Sequence, residues 1–245
     1  MKYMGSKSRI AKHILPIILQ NRKEGQYYVE PMTGGGNLIQ FVDGSRIGAD
    51  INFYVISLLQ EMQKGFIPPY LSREQVSHIK ENKDIYEPHI VAWAGIGCSY
   101  SGKWFGGYAG TITTKDGKIR NYIQEAINNL SIQSQKIKGV EFIASAYNEL
   151  QIPEKSLVYY DPPYKGTEGY GVKFCHDTFY NHLHEKHEQG HTIFVSEYEM
   201  PKEFKCVWSM ELSSSLSSNG KSGGNKKSIE KLFTLKSDFS ESLDF

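Results

Sequence analysis

The spacing of apolar and polar residues in the first part of the chain predicts a strand–helix–strand unit. Residues 10–20 carry apolar side chains at helical spacing, and Pro16 is expected to kink or split that helix. The runs GQYYVEP and SRIGADIN predict two buried strands, with GNLIQFV as the helix between them. A glycine turn follows the first strand and an acid ends the second, which is typical of a βαβ unit.

The second half of the chain predicts further strands of the same sheet. They are GVEFIASAY, SLVYYDPPY, HTIFVSEY, KCVWSMEL and KKSIEKLFTL. SSSLSSNGKSGGNKKS, between the last two, has the composition of a mobile surface loop.

Between residues 53 and 138 the pattern changes. Helical stretches surround WAGIGCSYSGKWFGGYAGTITTKDGKIRNY, which is too aromatic for a linker and too rich in glycine for a helix. We therefore predict an α/β core at 1–55 and 136–245, interrupted by an inserted region at 56–135.

Composition restricts the partners that the chain can have. Its 245 residues are 39% hydrophobic and 22% charged, which is ordinary for a globular protein. Because the formal net charge is +1, a nucleic acid would have to be held by a local basic surface. We find neither a membrane-spanning apolar run nor the apolar core of a signal peptide. The 3 cysteines are odd in number and far apart, so we expect free thiols in the cytoplasm.

An acid stands at the end of the strand predicted in SLVYYDPPY. Pro162 and Pro163 have no N–H to donate to a sheet, so the strand ends before them. Asp161 then lies at the carboxyl end of the strand, where open α/β sheets bind their ligands. This position predicts a chemical role for Asp161.

The glycine turn in VEPMTGGGN indicates a cofactor that contains a ribose, although a tight turn without a ligand is the alternative. Asp50, at the end of the next strand, is placed to accept hydrogen bonds from ribose hydroxyls. The glycines do not follow the G-x-G-x-x-G register, and Glu30 beside them would repel a diphosphate. S-adenosylmethionine fits both acids because it carries a ribose, a sulfonium and an ammonium group.

Four motifs together resemble a known family. KYMGSK, EPMTGGG, GADIN and YYDPPY occur in the order found in Dam-like (D12 class, alpha group) DNA adenine-N6 methyltransferases, and the likeness continues through FCHDTFYNHL and IFVSEYEMP. It implies a Rossmann-like, S-adenosylmethionine-dependent methyltransferase sheet, an inserted target-recognition region and double-stranded DNA as substrate, in a bacterial or phage-infected cell. Tyr147 is the aromatic residue that members carry before the Asp-Pro-Pro-Tyr strand, but Ala146 stands where many of them have an acid directly before it. The residues that the resemblance assigns to the cofactor are Tyr3, Lys7, Glu30, Pro31, Thr33, Gly34, Gly36, Asp50, Ile51, Tyr147 and Asp161.

The chemistry of adenine N6 explains the Asp-Pro-Pro-Tyr motif. This amine is a poor nucleophile because its lone pair is delocalised into the ring. The carboxylate of Asp161 and the carbonyl of Pro162 can accept its hydrogens and free the lone pair for attack on the sulfonium methyl. The two prolines stiffen the turn, and Tyr164 offers a face for the flipped base. The predicted catalytic residues are Asp161, Pro162, Pro163 and Tyr164.

Two further stretches could contact DNA. SYSGKWFGGY interleaves aromatic rings with a cation, which suits base stacking and phosphate contact, although a small satellite core is an equal alternative. KSGGNKK could touch phosphates or be a solvated loop. The candidate DNA-binding residues are Tyr100, Lys103, Trp104, Tyr108 and Lys221.

The stretch NHLHEKHEQGH invites a metal site through His182, His184, His187 and His191. No cysteine or spaced acid completes a known ligand pattern, so we expect no metal and a solvated, histidine-rich face instead.

Three functions besides adenine methylation stay open: N4-cytosine transfer, an RNA substrate, and a DNA-binding relative without activity. Asp161 favours adenine, since cytosine enzymes more often carry serine before the prolines.

Overall fold

The computed structural model describes residues 1–114, 116–165, 174–214 and 226–238. The helices within these residues are α1 Ala11–Leu19, α2 Phe53–Gln63, α3 Arg73–Glu81, α4 Pro88–Ala92, α5 Tyr122–Lys136 and α6 His176–Glu188. The strands are β1 Tyr28–Glu30, β2 Arg46–Asp50, β3 Thr111–Thr113, β4 Ile119–Asn121, β5 Val140–Ala144, β6 Leu157–Tyr160, β7 Thr192–Ser196, β8 Phe204–Ser214 and β9 Lys226–Leu235. No helix in this part of the chain has the length and hydropathy needed to span a membrane.

Seven strands form a mostly parallel sheet in the order β5-β2-β1-β6-β7-β9-β8. The pairs β1–β6, β2–β5 and β6–β7 are parallel, whereas β9 runs antiparallel to both β7 and β8. The order of the strands reverses between β1 and β6, as in Rossmann-like sheets, which bind ligands beyond the carboxyl ends of the strands at that point. The predicted α/β fold is confirmed. A separate hairpin joins β3 to β4.

The chain divides into two compact units. The first comprises Met1–Leu15 and Glu30–Gln151, and the second comprises Pro16–Val29 and Ile152–Phe245. The predicted insertion, residues 56–135, lies inside the first unit, and its boundaries stay a prediction.

Each unit has its own buried apolar core. In the first unit, α2 buries Val55, Leu58 and Leu59, and Trp93 is fully buried. In the second, every residue of β6 is buried, as expected for a central parallel strand that is covered on both faces. Phe179 and Leu183 of α6 are also fully buried.

Two local predictions were wrong, and a third was wrong in part. GNLIQFV forms a single 3-10 turn over Ile39–Phe41 in place of the predicted helix, and the extended backbone of Val42 (φ −103°, ψ 135°) ends that turn. Pro16 does not split α1, since it lies on the exposed face where water can satisfy the carbonyl that loses its donor, whereas a kink at Pro16 stays a prediction. Within the insertion, the glycine-rich stretch does form a helical segment, a π-helix over Trp93–Gly97. The predicted surface loop between β8 and β9 lies largely outside the described residues.

Candidate active site

The glycine turn and the end of β2 are joined by hydrogen bonds within the first unit. The backbone N–H of Gly34 donates to Asp50 Oδ2 over 2.9 Å, and that of Asn52 donates to Asp50 Oδ1 over 2.9 Å. The hydroxyl of Thr33 donates to Glu30 Oε2 over 2.9 Å, and Thr33 N–H donates to the carbonyl of Ala49 over 2.8 Å. The turn therefore positions both acids that the sequence singled out.

Asp50 has the properties of an acceptor for polar hydroxyls. Burial raises the pKa of its carboxyl, and the backbone N–H groups of Asn52 and Gly34 oppose that rise. Each carboxylate oxygen has more than one acceptor position, so a ligand hydroxyl can bind beside the backbone donors. Ile51, which follows directly, is 69% exposed. An exposed apolar residue beside a positioned acid suits a ligand with a flat ring next to a ribose.

The N-terminal segment closes one side of the glycine turn. A Cβ on Gly34 would lie 2.6 Å from Cε1 of Tyr3, and one on Gly35 would lie 2.9 Å from Tyr3 Cβ. The close approach of Tyr3 thus favours glycine at these two positions. The turn is also held by Gln133, whose side-chain N–H groups donate to the carbonyls of Gly35 and Gly36 over 2.9 and 3.1 Å. The sequence reasoning missed Gln133, because nothing in a helical glutamine marks a contact so distant along the chain.

Lys7, Pro31 and Tyr147 are further residues of this unit that were predicted to contact the cofactor. Lys7 donates to the carbonyl of Gly5 over 3.3 Å, and Pro31 is buried beside Glu30. Tyr147 is half-buried in the segment after β5, where Ser145 N–H donates to the carbonyl of Asp50 over 3.1 Å. Their roles toward a cofactor stay predictions.

In the second unit, the Asp-Pro-Pro-Tyr turn leaves the carboxyl end of β6 as predicted. β6 ends at Tyr160, Asp161 is half-buried and Pro162 is buried. The Tyr164 hydroxyl donates to Glu230 Oε2 over 2.7 Å. Its ring meets that of Tyr198 edge to face at 4.6 Å, and burial raises the pKa of its phenol well above the usual range. A ring held by a neighbouring ring and through its own hydroxyl is a rigid element of the site.

A buried acid beside this turn was missed by the sequence reasoning. Glu197 follows β7 directly, its side chain is 1% exposed, and it accepts hydrogen bonds from the N–H groups of Lys165 and Tyr198. His176 Nε2 lies 3.6 Å from Glu197 Oε2 and 3.2 Å from the carbonyl oxygen of Pro163. The signal was present in the sequence, because the predicted strand HTIFVSEY ends in this acid just as SLVYYDPPY ends in Asp161.

The aromatic stretch of the insertion divides into packed and exposed residues. Trp104 is half-buried, its ring 5.4 Å from that of Tyr54 and close enough to Gly95 that a Cβ there would lie 2.8 Å from Trp104 Cζ3. The Tyr108 hydroxyl donates to the carbonyl of Leu71 over 2.8 Å. Tyr100 is 57% exposed, and Lys103 is exposed.

The stretch therefore contains both packed and exposed residues. Trp104 and Tyr108 pack against other residues, as the satellite-core alternative expects, whereas Tyr100 and Lys103 are exposed and their contact with a nucleic acid stays a prediction. Lys221, the remaining DNA-binding candidate, lies outside the described residues.

The four histidines considered as metal ligands, His182, His184, His187 and His191, have separate partners. His182 Nε2 bonds the Tyr160 hydroxyl over 3.0 Å, and His191 Nδ1 accepts from Ser156 N–H over 3.1 Å. His184 lies 3.2 Å from Glu203, and His187 lies 3.3 Å from Asp238. The predicted solvated face is wrong for His182 and His191, which are 7% and 4% exposed, and burial lowers the pKa of His182 to about 4. The described residues contain no group of three or more metal-ligating side chains.

One family model matches part of the chain. Residues 3–89 match the family model of the D12 class N6 adenine-specific DNA methyltransferases. This match confirms the resemblance over the segment that holds Tyr3, Lys7, the glycine turn and Asp50. No curated protein matches the chain.

Solved structures show a weaker likeness. One is yhhF from Escherichia coli, assigned as a methyltransferase, at 9% identity and a TM-score of 0.36, covering 93% of this chain and 85% of that one. Another is SMU.472, also assigned as a methyltransferase and solved with SAH, at 12% identity and a TM-score of 0.39. That alignment covers 96% of this chain and 54% of the other, so the present chain spans about half of its length.

Proposed function

We propose that the protein is a DNA methyltransferase that transfers a methyl group from S-adenosylmethionine to N6 of adenine after base flipping. The observation that carries the proposal is the Asp-Pro-Pro-Tyr turn at the carboxyl end of β6, with Asp161 half-buried and Tyr164 bonded to Glu230. The family match over residues 3–89 supports the substrate class. A DNA substrate implies the cytoplasm of a bacterial or phage-infected cell.

The residues of the first unit fit S-adenosylmethionine by their chemistry. Asp50 accepts one backbone N–H on each oxygen and keeps acceptor positions for ribose hydroxyls. Glu30 adds a buried acid beside the same turn, and a negative site suits a ligand with positive charges. When bound, S-adenosylmethionine supplies an electrophilic methyl group on a sulfonium.

The residues of the second unit fit the activation of an amine. The carboxylate of Asp161 and the carbonyl of Pro162 are both pure acceptors, as the two hydrogens of N6 require. While they hold these hydrogens, the nitrogen lone pair is directed away from the ring and can form the new N–C bond as the S–C bond breaks. One N6 proton must then be lost, and Asp161 is the acceptor that already holds it. The Tyr164 face receives the flipped base.

Analysis of the methylated nucleoside tests this function. Purified protein, radiolabelled S-adenosylmethionine and duplex DNA of mixed sequence should yield N6-methyldeoxyadenosine after digestion to nucleosides. N4-methyldeoxycytidine would instead support cytosine transfer, and label in RNA alone would identify an RNA enzyme. Binding of DNA without any labelled product would support an inactive relative and refute the proposal.

A further inference from the structure

The Asp-Pro-Pro-Tyr turn has few backbone groups with which to hold itself in place. Pro162 and Pro163 have no N–H, so neither can donate to a neighbouring strand. The orientation that catalysis would require must therefore be fixed from outside, through the carbonyl oxygens of the turn and the N–H groups that follow it. A displacement of about 1 Å at such a site can cost about a hundredfold in rate.

Glu197 and His176 make contacts of this kind. Lys165 N–H, directly after the motif, points to the Glu197 carboxylate, 3.2 Å from Oε2 and 3.4 Å from Oε1. The carbonyl oxygen of Pro163 lies 3.2 Å from His176 Nε2. Since a carbonyl oxygen can only accept, Nε2 carries the hydrogen in this contact. The pair thus contacts the backbone on both sides of Tyr164: His176 donates to the carbonyl before it, and Glu197 accepts from the N–H after it.

The strand register explains why these residues meet. β6 and β7 are parallel, with Tyr160 opposite Val195. The two chains continue beyond the sheet side by side, which brings the segment after Tyr160 next to Glu197. His176 is the first residue of α6, so it approaches from a different element.

The burial of the Glu197 carboxyl costs folding free energy. Its side chain is 1% exposed, and burial raises the pKa of its carboxyl. The N–H groups of Tyr198 and Lys165 and the nearby His176 oppose this rise, and Asp161 adds to it. Burying one acid beside another costs folding free energy that an apolar residue at this position would not cost, and what the acid adds is its hydrogen bonds to the turn.

We propose that Glu197 and His176 are positioning residues that fix the backbone of the Asp-Pro-Pro-Tyr turn for methyl transfer. This inference rests on the proposed function. It makes the imidazole–carboxylate pair a determinant of the rate of the chemical step, while the binding of cofactor and DNA depends on other residues.

Matched substitutions separate positioning from a general structural role. His176→Phe keeps a ring beside Phe174 but removes the donor to Pro163, and His176→Gln restores an N–H donor without the ring. Glu197→Gln keeps the size but leaves a single acceptor oxygen for two N–H groups. His184→Gln is the control, because it disrupts another imidazole–carboxylate contact on the same helix, 3.2 Å to Glu203.

Single-turnover methyl transfer and hydrogen exchange at the Lys165 amide are the two measurements. We expect His176→Phe and Glu197→Gln to lower the rate at least about tenfold, with cofactor and DNA affinities within about threefold of the unaltered protein. His176→Gln should recover most of the rate, His184→Gln should retain it, and Glu197→Gln should speed exchange at Lys165.

Three results would overturn the inference: unchanged rates in both His176→Phe and Glu197→Gln, unchanged exchange at Lys165, or equal losses in His176→Phe and His176→Gln. If the unaltered protein transfers no methyl group, the proposed function fails. The exchange rate at Lys165 in the full chain still decides whether the pair holds the turn.

Discussion

The backbone N–H of Gly34 donates a 2.9 Å hydrogen bond to the carboxylate of Asp50, so the glycine turn and the end of β2 hold each other in place. Asp50→Ala should weaken S-adenosylmethionine binding by about 1–3 kcal/mol, because ribose hydroxyls lose a charged acceptor. Calorimetric titration in the presence of a chelator measures this loss. Asp84→Ala, at an exposed acid, is the control, and equal effects of the two changes would refute the role of Asp50.

The same carboxylate should give the affinity a pH dependence. Burial raises the pKa of Asp50, so binding should be full above the raised value and weaken as the pH falls through it. Stability should change with the opposite sign, because the native state holds this proton more tightly than the unfolded chain and gains relative stability as the pH falls. Asp50→Asn should remove both trends, and an acidic weakening that persists in that variant would assign it to another group.

Two glycines with left-handed backbones allow a test of the packing around the turn. Gly34 and Gly25 have φ values of 49° and 74°, but a Cβ on Gly34 would lie 2.6 Å from Tyr3, whereas one on Gly25 would meet nothing within 4 Å. In both Ala variants the left-handed backbone should lower the free energy of unfolding by about 1–2 kcal/mol. Gly34→Ala should lower it by about 1–3 kcal/mol more through overpacking. Equal midpoints in urea unfolding would show that Tyr3 yields without strain.

Periodicity and the turn residues were sufficient to predict the sheet. The strands around Val29, Ala49, Val158 and Val195 are short apolar runs closed by an acid, glycine or proline, so the local pattern defines them. Local pattern does not reveal which distant side chains meet. The contact of Glu197 with Lys165 depends on the register of β6 and β7, and that register is set by the packing of the whole sheet.

The insertion offers a test that distinguishes its packed and exposed residues. Lys103→Gln should weaken DNA binding and flatten its salt dependence by a slope of about 1, because one phosphate contact is lost. Trp104→Ala should instead lower the unfolding temperature, since its ring packs over Gly95 and beside Tyr54. Fluorescence anisotropy over a salt series measures the first effect, with the exposed Lys80→Gln as the control. An unchanged salt slope in Lys103→Gln would remove this residue from the DNA contact.

Tyr164 should act mainly by holding the flipped base. Tyr164→Ala removes the ring that Glu230 and Tyr198 orient, and part of the lost rate should return when the target adenine is mismatched, because extrusion then costs less. Tyr164→Phe keeps the ring but loses the bond to Glu230, so it should be less impaired. If mismatched and paired substrates reacted equally slowly with Tyr164→Ala, the ring would have to act elsewhere.

Single-turnover methyl transfer by Asp161→Asn tests the central claim most directly. The amide keeps the size and one acceptor oxygen of the carboxylate but loses its charge, and it can turn donors toward the target amine. We predict a loss of at least about a hundredfold in the rate of N6 methylation, little change in DNA affinity, and no rescue by a mismatched target adenine. Rescue of Asp161→Asn to the same degree as Tyr164→Ala would mean that Asp161 seats the base and does not activate its nitrogen, which would contradict the mechanism.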